Sequence, residues 1–200
     1  MTNPDTRVVA VVLAAGTSSR MGEANKLLAP IDGTPLVRRV LDQVCASRVS
    51  SIIVVTGHQE SAIHRALQGC DVTFTHNGRY EDGLSTSLLC GLEKVPQSAL
   101  GAIICLGDMP KLKVEHIDRL VIEFGKHKSE KICVPVFDGQ QGNPVVWPQK
   151  YFTEMQALTG DTGAKKLIAH HQAHVVEIDM DDDSVTQDID TPDDLKKFQD

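Results

Sequence analysis

Between Leu13 and Lys26 the chain reads LAAGTSSRMGEANK: a strand end, a glycine-bearing loop, one arginine and a closing lysine. This segment constrains the fold more than any other. The preceding run from Val8 to Ala14 is short, rich in β-branched residues and uncharged. That is the pattern of a strand buried on both faces of a parallel sheet. The loop that follows therefore emerges at the carboxyl edge of the sheet, where open α/β sheets bind ligands. Gly16 and Gly22 permit close approach of backbone N–H groups, and Arg20 and Lys26 bring positive charge. Arginine grips two phosphate oxygens with a planar fork, while lysine follows a phosphoryl group as a mobile point charge. The combination suits a nucleoside triphosphate from which pyrophosphate departs. An ordinary βα turn with two surface cations uses the same residue types, so the remainder of the chain has to discriminate.

Two familiar phosphate loops are excluded by spacing. Lys26 is followed by Leu27, so there is no G-x-x-x-x-G-K-[ST], and no G-x-G-x-x-G follows the strand. Two hundred residues, 41% hydrophobic and 24% charged, fit one domain with a sheet covered on both faces. The net charge of −7, with lysine and arginine spread along the chain, disfavours nucleic acid and acidic membrane surfaces. A small charged substrate fits better. Cys45, Cys70, Cys90, Cys105 and Cys133 are odd in number, lack C-x-x-C spacing and mostly fall in apolar patterns, so they are expected to be buried and reduced. The N-terminal apolar stretch has no basic flank and is too short for a membrane span, which points to a cytoplasmic protein.

Strands and helices alternate along the chain. Thr34-Pro35 is expected to supply the N-cap and first-turn proline of a helix whose apolar face is Leu36, Val40, Leu41 and Val44. A strand at Ser51–Thr56, a helix at His58–Leu67 and a short strand at Val72–Thr75 follow. Next come a helix from about Gly83 to Glu93 and a strand at Gly101–Leu106. This order implies a largely parallel sheet with right-handed crossovers. Later elements are a helix marked by Val114, Ile117, Leu120, Val121 and Phe124, a strand at Lys131–Phe137 and extended chain at Gly142–Trp147. One or two short helices between Tyr151 and His170 lead to a strand near Val175–Ile178. A last helix opens at Thr191-Pro192, with Asp194 at a capping-box position.

Asp108 stands where the strand at Gly101–Leu106 ends in Gly107-Asp108-Met109-Pro110, so its carboxylate should emerge beside the glycine loop. Magnesium prefers hard oxygen and takes only one or two protein carboxylates while it bridges substrate phosphates; a plain turn-forming aspartate is the competing reading. A second carboxylate can come from Asp188 or Asp190 in QDIDTPDDL, although acids ahead of a helix N-cap also arise for the dipole alone.

Taken together, LAAGxSxRMGxxK, GDMP, GNPV, GDTGA and DIDTPDDL, in this order and across nearly the whole chain, resemble the molybdenum cofactor nucleotidyltransferases, and most of all their cytidylyltransferase branch. The resemblance implies a Rossmann-like three-layer αβα fold, shared with the sugar-phosphate nucleotidyltransferases, in a single domain spanning 1–200. Residues from about 8 to 110 would bind nucleotide and those from about 111 to 200 the acceptor. It implies transfer of CMP from CTP to molybdopterin with release of pyrophosphate, dependent on Mg²⁺, with a transient contact to a receiving molybdoenzyme. Leu13, Ala14, Ala15 and Gly16 would line base and ribose, Arg20 and Lys26 would hold the triphosphate, and Asp108 would bind the metal; Asp190, put forward by the residues and not by the resemblance, is the expected second ligand, with Asp188 as the alternative. Asn77, Gly83 and Ser87, within NGRYEDGLSTSLLCGL, would complete the nucleotide pocket, whereas apolar spacing assigns most of that stretch to a core helix. Gly142-Asn143-Pro144 and Gly160-Asp161-Thr162-Gly163 would face the acceptor. Ala14-Ala15-Gly16 resembles the cytidylyl enzymes, where the guanylyl branch tends to carry Ala-Gly-Gly.

Phosphate attack on the α-phosphorus needs little proton chemistry, so positioning and charge neutralisation should dominate. A sugar phosphate or other phosphorylated acceptor, GTP as the donor, and a non-catalytic cofactor carrier are the competing functions. Other features are declined. His170, His171 and His174 lack the remaining ligands of a zinc site. Asp179, Asp181 and Asp183 imitate half an EF-hand loop but place Ser184 where its glycine belongs. His58, after a strand, reads as part of a helix cap.

Overall fold

The computed structural model describes residues 7–18, 25–160 and 164–198. Strand β1, Val8–Ala14, is buried at all seven positions. It pairs in parallel on one side with β4, Ser51–Thr56, and on the other with β6, Gly101–Leu106. A two-stranded ribbon, β2 (Pro30–Ile31) and β3 (Thr34–Pro35), lies between β1 and helix α1, Leu36–Ala46. Helix α2, Glu60–Ala66, leads to β5, Thr73–His76, and α3, Leu84–Leu92, leads back across β1 to β6. The second half adds α4 (Val114–Lys126), β7 (Ile132–Phe137), β8 (Gln140–Gln141), β9 (Val145–Pro148), α5 (Phe152–Gln156), α6 (Lys165–His170), β10 (Val175–Asp179) and α7 (Pro192–Lys196). The sheet order is β10-β7-β9-β6-β1-β4-β5, with β8 hydrogen-bonded to β7.

Alternation along β1 divides the core in two, because successive strand side chains point to opposite faces. Val8, Ala10, Val12 and Ala14 pack with Leu36, Val40 and Leu41 of α1 and with Ile117, Leu120 and Phe124 of α4. Val9, Val11, Leu13 and Ala15 pack with Leu88 and Leu92 of α3, Met155 of α5 and Ile168 of α6. The result is three layers, helix, sheet and helix, as the alternation of strands and helices implies.

Several boundaries differ from the sequence reading. Thr34-Pro35 does not open α1: its backbone pairs with Ile31 and Pro30 in the ribbon, and Pro35 becomes the N-cap without a side-chain bond. The first turn of α2 starts at Glu60, after Gln59 takes a left-handed φ of 53°. The extended chain after Gly142 forms β9, which runs antiparallel to both β6 and β7. Two cysteines, Cys105 and Cys133, are fully buried, whereas Cys45, Cys70 and Cys90 are only half-buried, and all five are free. The last helix is capped as expected: Asp194 N donates to Thr191 Oγ1 at 3.2 Å and Thr191 N to Asp194 Oδ2 at 3.1 Å.

Gly91 lets α3 settle on the sheet. A Cβ there would collide with Val11 Cγ1 and stand 2.9 Å from Val55 Cγ2. Overpacking of this kind typically costs about 1–3 kcal/mol. Gly91→Val should therefore lower the urea midpoint by that amount of stability at unchanged m-value; a midpoint equal to that of the unsubstituted protein would show that α3 is seated less closely.

Candidate active site

Leu13 and Leu106 are the last paired residues of β1 and β6. From β1 the chain proceeds outward to β4 and β5, whereas β6 lies on β1's other side, so a topological switch point opens where the two strands end. Main-chain bonds gather the loops around it. Gly107 N donates to Leu13 O at 3.0 Å, His58 N to Ala15 O at 3.1 Å, and Asn77 N to Thr56 O at 2.8 Å. The bond from Ile189 N to Asp108 O, at 3.0 Å, brings in the distant C-terminal segment. These loops border a cleft of about 560 Å³ lined by Leu13, Ala15, Gly16, Lys26, Gly83, Ser87, Asp108 and Asp190, among others.

Lys26 opens a short 3₁₀ turn, Lys26–Leu28. Asn25 caps it, accepting from Leu27 N at 3.0 Å, and Lys26 N donates to Ser18 Oγ at 3.1 Å. Its ammonium contacts Asp108 Oδ2 at 2.7 Å, Asp190 Oδ1 at 3.0 Å and the Ile189 carbonyl at 2.7 Å. Burial pulls the Lys26 amine toward neutrality, but Asp108 and Asp190 outweigh it and hold its pKa above the ordinary value. Carboxylate oxygens of Asp108, Asp188 and Asp190 all lie within 4.8 Å of one another. Desolvation and the charges of Asp108 and Asp190 raise the Asp188 pKa. Asp108 Oδ1 is buried with no hydrogen-bond partner among the described residues. A hard cation fits this donor set: it takes oxygen ligands, and it would satisfy the orphaned atom and offset the crowded negative charge.

The structure brings together most of the residues named from the sequence. Leu13, Ala15, Gly16, Gly83 and Ser87 line the cleft with Lys26, Asp108 and Asp190. Ala14 is the exception: its side chain is buried on the opposite face of β1, beside α1 and α4. Asn77 stands behind the cleft wall, where Nδ2 donates to Ser87 Oγ at 3.0 Å and Thr86 Oγ1 at 2.9 Å while Oδ1 accepts from Arg79 N. It positions the wall. Arg20, Gly22 and Asp161–Gly163 lie outside the described residues. A second pocket of about 300 Å³ adjoins the cleft through Leu13, Leu84 and Leu106. Gly142 and Asn143 lie on it with Trp147, Lys165, Ile168 and Asp188. Contributions the sequence reading missed are Tyr80 and Glu81, which line the cleft, and the Ile189 carbonyl. Only the placement of Tyr80-Glu81 inside NGRYEDG offered a signal.

The declined features have structural partners. His171 Nε2 sits 2.7 Å from Glu154 Oε2 and its ring lies against Tyr151. In the acidic turn, Asp181, Asp182 and Asp183 pair with Arg119, Lys113 and Lys111 respectively. The Lys113 ammonium and the Ser184 hydroxyl and amide hold the Asp182 carboxyl well below the usual range. His58 precedes the α2 N-cap, Gln59, and its ring stands 6.1 Å from that of Tyr80.

A switch-point cleft with a partly buried lysine and clustered carboxylates is the place where an open α/β sheet binds a small ligand. Residues 10–175 match the MobA-like NTP transferase domain, and the chain belongs to that family. It is therefore a nucleotidyltransferase, and its fold is that of the nucleotide-diphospho-sugar transferases. It is 29% identical to the purine catabolism protein PucB of Bacillus subtilis and 27% identical to the molybdenum cofactor cytidylyltransferase of Escherichia coli, each match covering 92% of both chains. The crystal structure of an Rv0371c homologue from Mycobacterium sp. strain JC1 superposes with a TM-score of 0.85 at 27% identity, covering 97% of this chain and 96% of that one. The manganese complex of Rv0371c from Mycobacterium tuberculosis has a TM-score of 0.77 at 29% identity, covering 96% of this chain and 97% of that one.

Asn77→Ala would strip the acceptor from the part-buried Arg79 N–H and remove the donor to the buried Ser87 hydroxyl. Losses of this type cost about 1–3 kcal/mol. The variant should be less stable by that amount in chemical denaturation and should show a raised KM for nucleotide; an unchanged KM would mean that Asn77 does not set the wall.

Proposed function

We propose that this nucleotidyltransferase transfers CMP from CTP to molybdopterin, releasing pyrophosphate, with Mg²⁺ held by Asp108 and Asp190. The observation that carries the reading is the meeting of Lys26 with Asp108 and Asp190 in the lining of the cleft, beside a second, largely apolar pocket. In this reading the cleft takes CTP. Leu13, Ala15 and Gly16 border its base and ribose, and Gly83 and Ser87 close the opposite wall. Lys26 and Arg20 neutralise the triphosphate. A bound magnesium ion would supply further neutralisation of the phosphate oxygens.

The acceptor would occupy the adjoining pocket, whose walls include Leu88, Ile104, Val145 and Trp147 and whose polar side chains are Gln141, Asn143, Lys165 and Asp188. Apolar walls with a few placed polar groups suit a ring system carrying one phosphate better than a sugar, whose hydroxyls each need a partner. Attack by the acceptor phosphate on the α-phosphorus then needs positioning and charge neutralisation rather than a general base. After transfer the product would pass to a molybdoenzyme in the cytoplasm. Among the described residues no helix is long and apolar enough to cross a membrane.

Base choice is assigned to Ala15, a buried residue of the cleft lining whose methyl would leave less room for the base and favour CTP over GTP. One methyl discriminates by only about 1–3 kcal/mol, so hydrogen bonds to the base supply the remainder.

Pyrophosphate release across four nucleotides, with molybdopterin and with sugar phosphates as acceptors, tests the reading. CTP with molybdopterin should be the fastest pair. Faster turnover with GTP would overturn the base assignment, a sugar phosphate preference would overturn the acceptor, and binding without any pyrophosphate release would favour a carrier. Lys26→Ala should reduce kcat/KM by roughly 10²–10³, the usual loss for one preorganised electrostatic group. Ala15→Gly should narrow the CTP preference.

A further inference from the structure

An ammonium group has three N–H donors, and Lys26 uses all three within the protein. They go to Asp108 Oδ2 at 2.7 Å, the Ile189 carbonyl at 2.7 Å and Asp190 Oδ1 at 3.0 Å. Held this way, the ammonium has no donor left for a phosphate, although its side chain lines the nucleotide cleft. The two roles exclude each other in one conformation.

Its three partners are hard oxygens, two carboxylates and one main-chain carbonyl, which is the chemistry that magnesium and manganese ions take. The main chain of the set is anchored. Ile189 is fully buried, and its own N–H is bonded to Asp108 O at 3.0 Å, which ties its carbonyl to the backbone that carries Asp108. Asp108 Oδ1, buried and unpartnered among the described residues, adds a further oxygen. The lysine, by contrast, sits at the end of a flexible four-carbon stem. Its side chain is 15% exposed and that of Asp108 17%, so water screens the pair poorly and a divalent ion entering these oxygens meets the repulsion of the ammonium at close range.

We propose that Lys26 is a placeholder cation. A divalent ion enters the set formed by Asp108, Asp190 and the Ile189 carbonyl, and the displaced ammonium turns to the phosphates of the nucleotide. Metal and nucleotide then bind as a pair, because each makes room or supplies a partner for the other. The nucleotide half of this exchange rests on the proposed function; the metal half does not.

Manganese titration tests it, with free Mn²⁺ followed by electron paramagnetic resonance on the unsubstituted protein and on Lys26→Gln, each with and without CTP. Without nucleotide, Lys26→Gln should bind Mn²⁺ at least about tenfold more tightly, since the competing charge is gone. Adding CTP should tighten Mn²⁺ binding strongly in the unsubstituted protein and less in the variant. Adding Asp108→Asn to Lys26→Gln should abolish the gain. Lys26→Met, which keeps the apolar stem, gives the same reading if the glutamine variant folds poorly. Mn²⁺ binding to Lys26→Gln and Lys26→Met no tighter than to the unsubstituted protein would overturn the exchange. A metal gain in a protein that transfers no nucleotide would sustain the exchange and remove the proposed function; CTP-dependent transfer without the metal gain would do the reverse.

Discussion

The pairing of Leu13 with Leu106 at the ends of two parallel strands fixes everything that follows. β1 is central, hydrogen-bonded on both edges and buried on both faces. A one-residue slip would exchange the side chains of its two faces and undo their fit against both helix layers. Its end is therefore a stable reference point. The chain leaves β1 on one side and β6 on the other, and the crevice between them is a consequence of topology. Gly107 shows how tightly the turn after β6 is drawn in: its N–H bonds to Leu13 O, and a Cβ would stand only 3.0 Å from that same oxygen. Asp108 follows directly and has little freedom to point elsewhere.

Charge is then concentrated on that frame. Three carboxylates cluster at the crevice, and the ammonium of Lys26, 163 positions before Ile189, binds two of them together with the Ile189 carbonyl. Crowding like charges in a half-buried site is unfavourable alone. It is sustained here by the lysine and by the backbone bond that ties Ile189 to Asp108. Folding and chemistry meet at this point: the counter-ion that allows the carboxylates to approach is also a cation suited to polyphosphate. The neighbouring pocket, with Trp147 and Ile168 in its walls, follows from the antiparallel β9 and from α6 covering the far end of the same sheet face.

Much of this was legible in the sequence because it is carried by strong periodicities. The unbroken apolar run Val8–Ala14 marks a central strand, and GDMP directly after Gly101–Leu106 places Asp108 at the same edge. Other features were misread for identifiable reasons. Thr34-Pro35 has the composition of a helix start, but pairing with Pro30-Ile31 competes for its backbone. Ala14 was grouped with its neighbours by motif, although a period of two puts it on the far face from Leu13 and Ala15. The direction of β9 depends on tertiary pairing, which residue patterns do not encode. The Ile189 carbonyl was invisible because main-chain groups carry no side-chain signature. Of the two candidate metal ligands in QDIDTPDDL, only the fold shows that Asp190 reaches Lys26 while Asp188 lines the second pocket.

The central claim is that Lys26, Asp108 and Asp190 converge on one metal-bound polyphosphate. A crystal structure with manganese and a non-hydrolysable CTP analogue, with data collected at the manganese absorption edge, tests it most directly. The account predicts an anomalous peak bonded to Asp108 and Asp190, with the Lys26 ammonium on the phosphates of a nucleotide lying in the cleft above Leu13 and Gly16. A nucleotide bound elsewhere, or manganese held by other residues with Lys26 still fastened to both carboxylates, would contradict it.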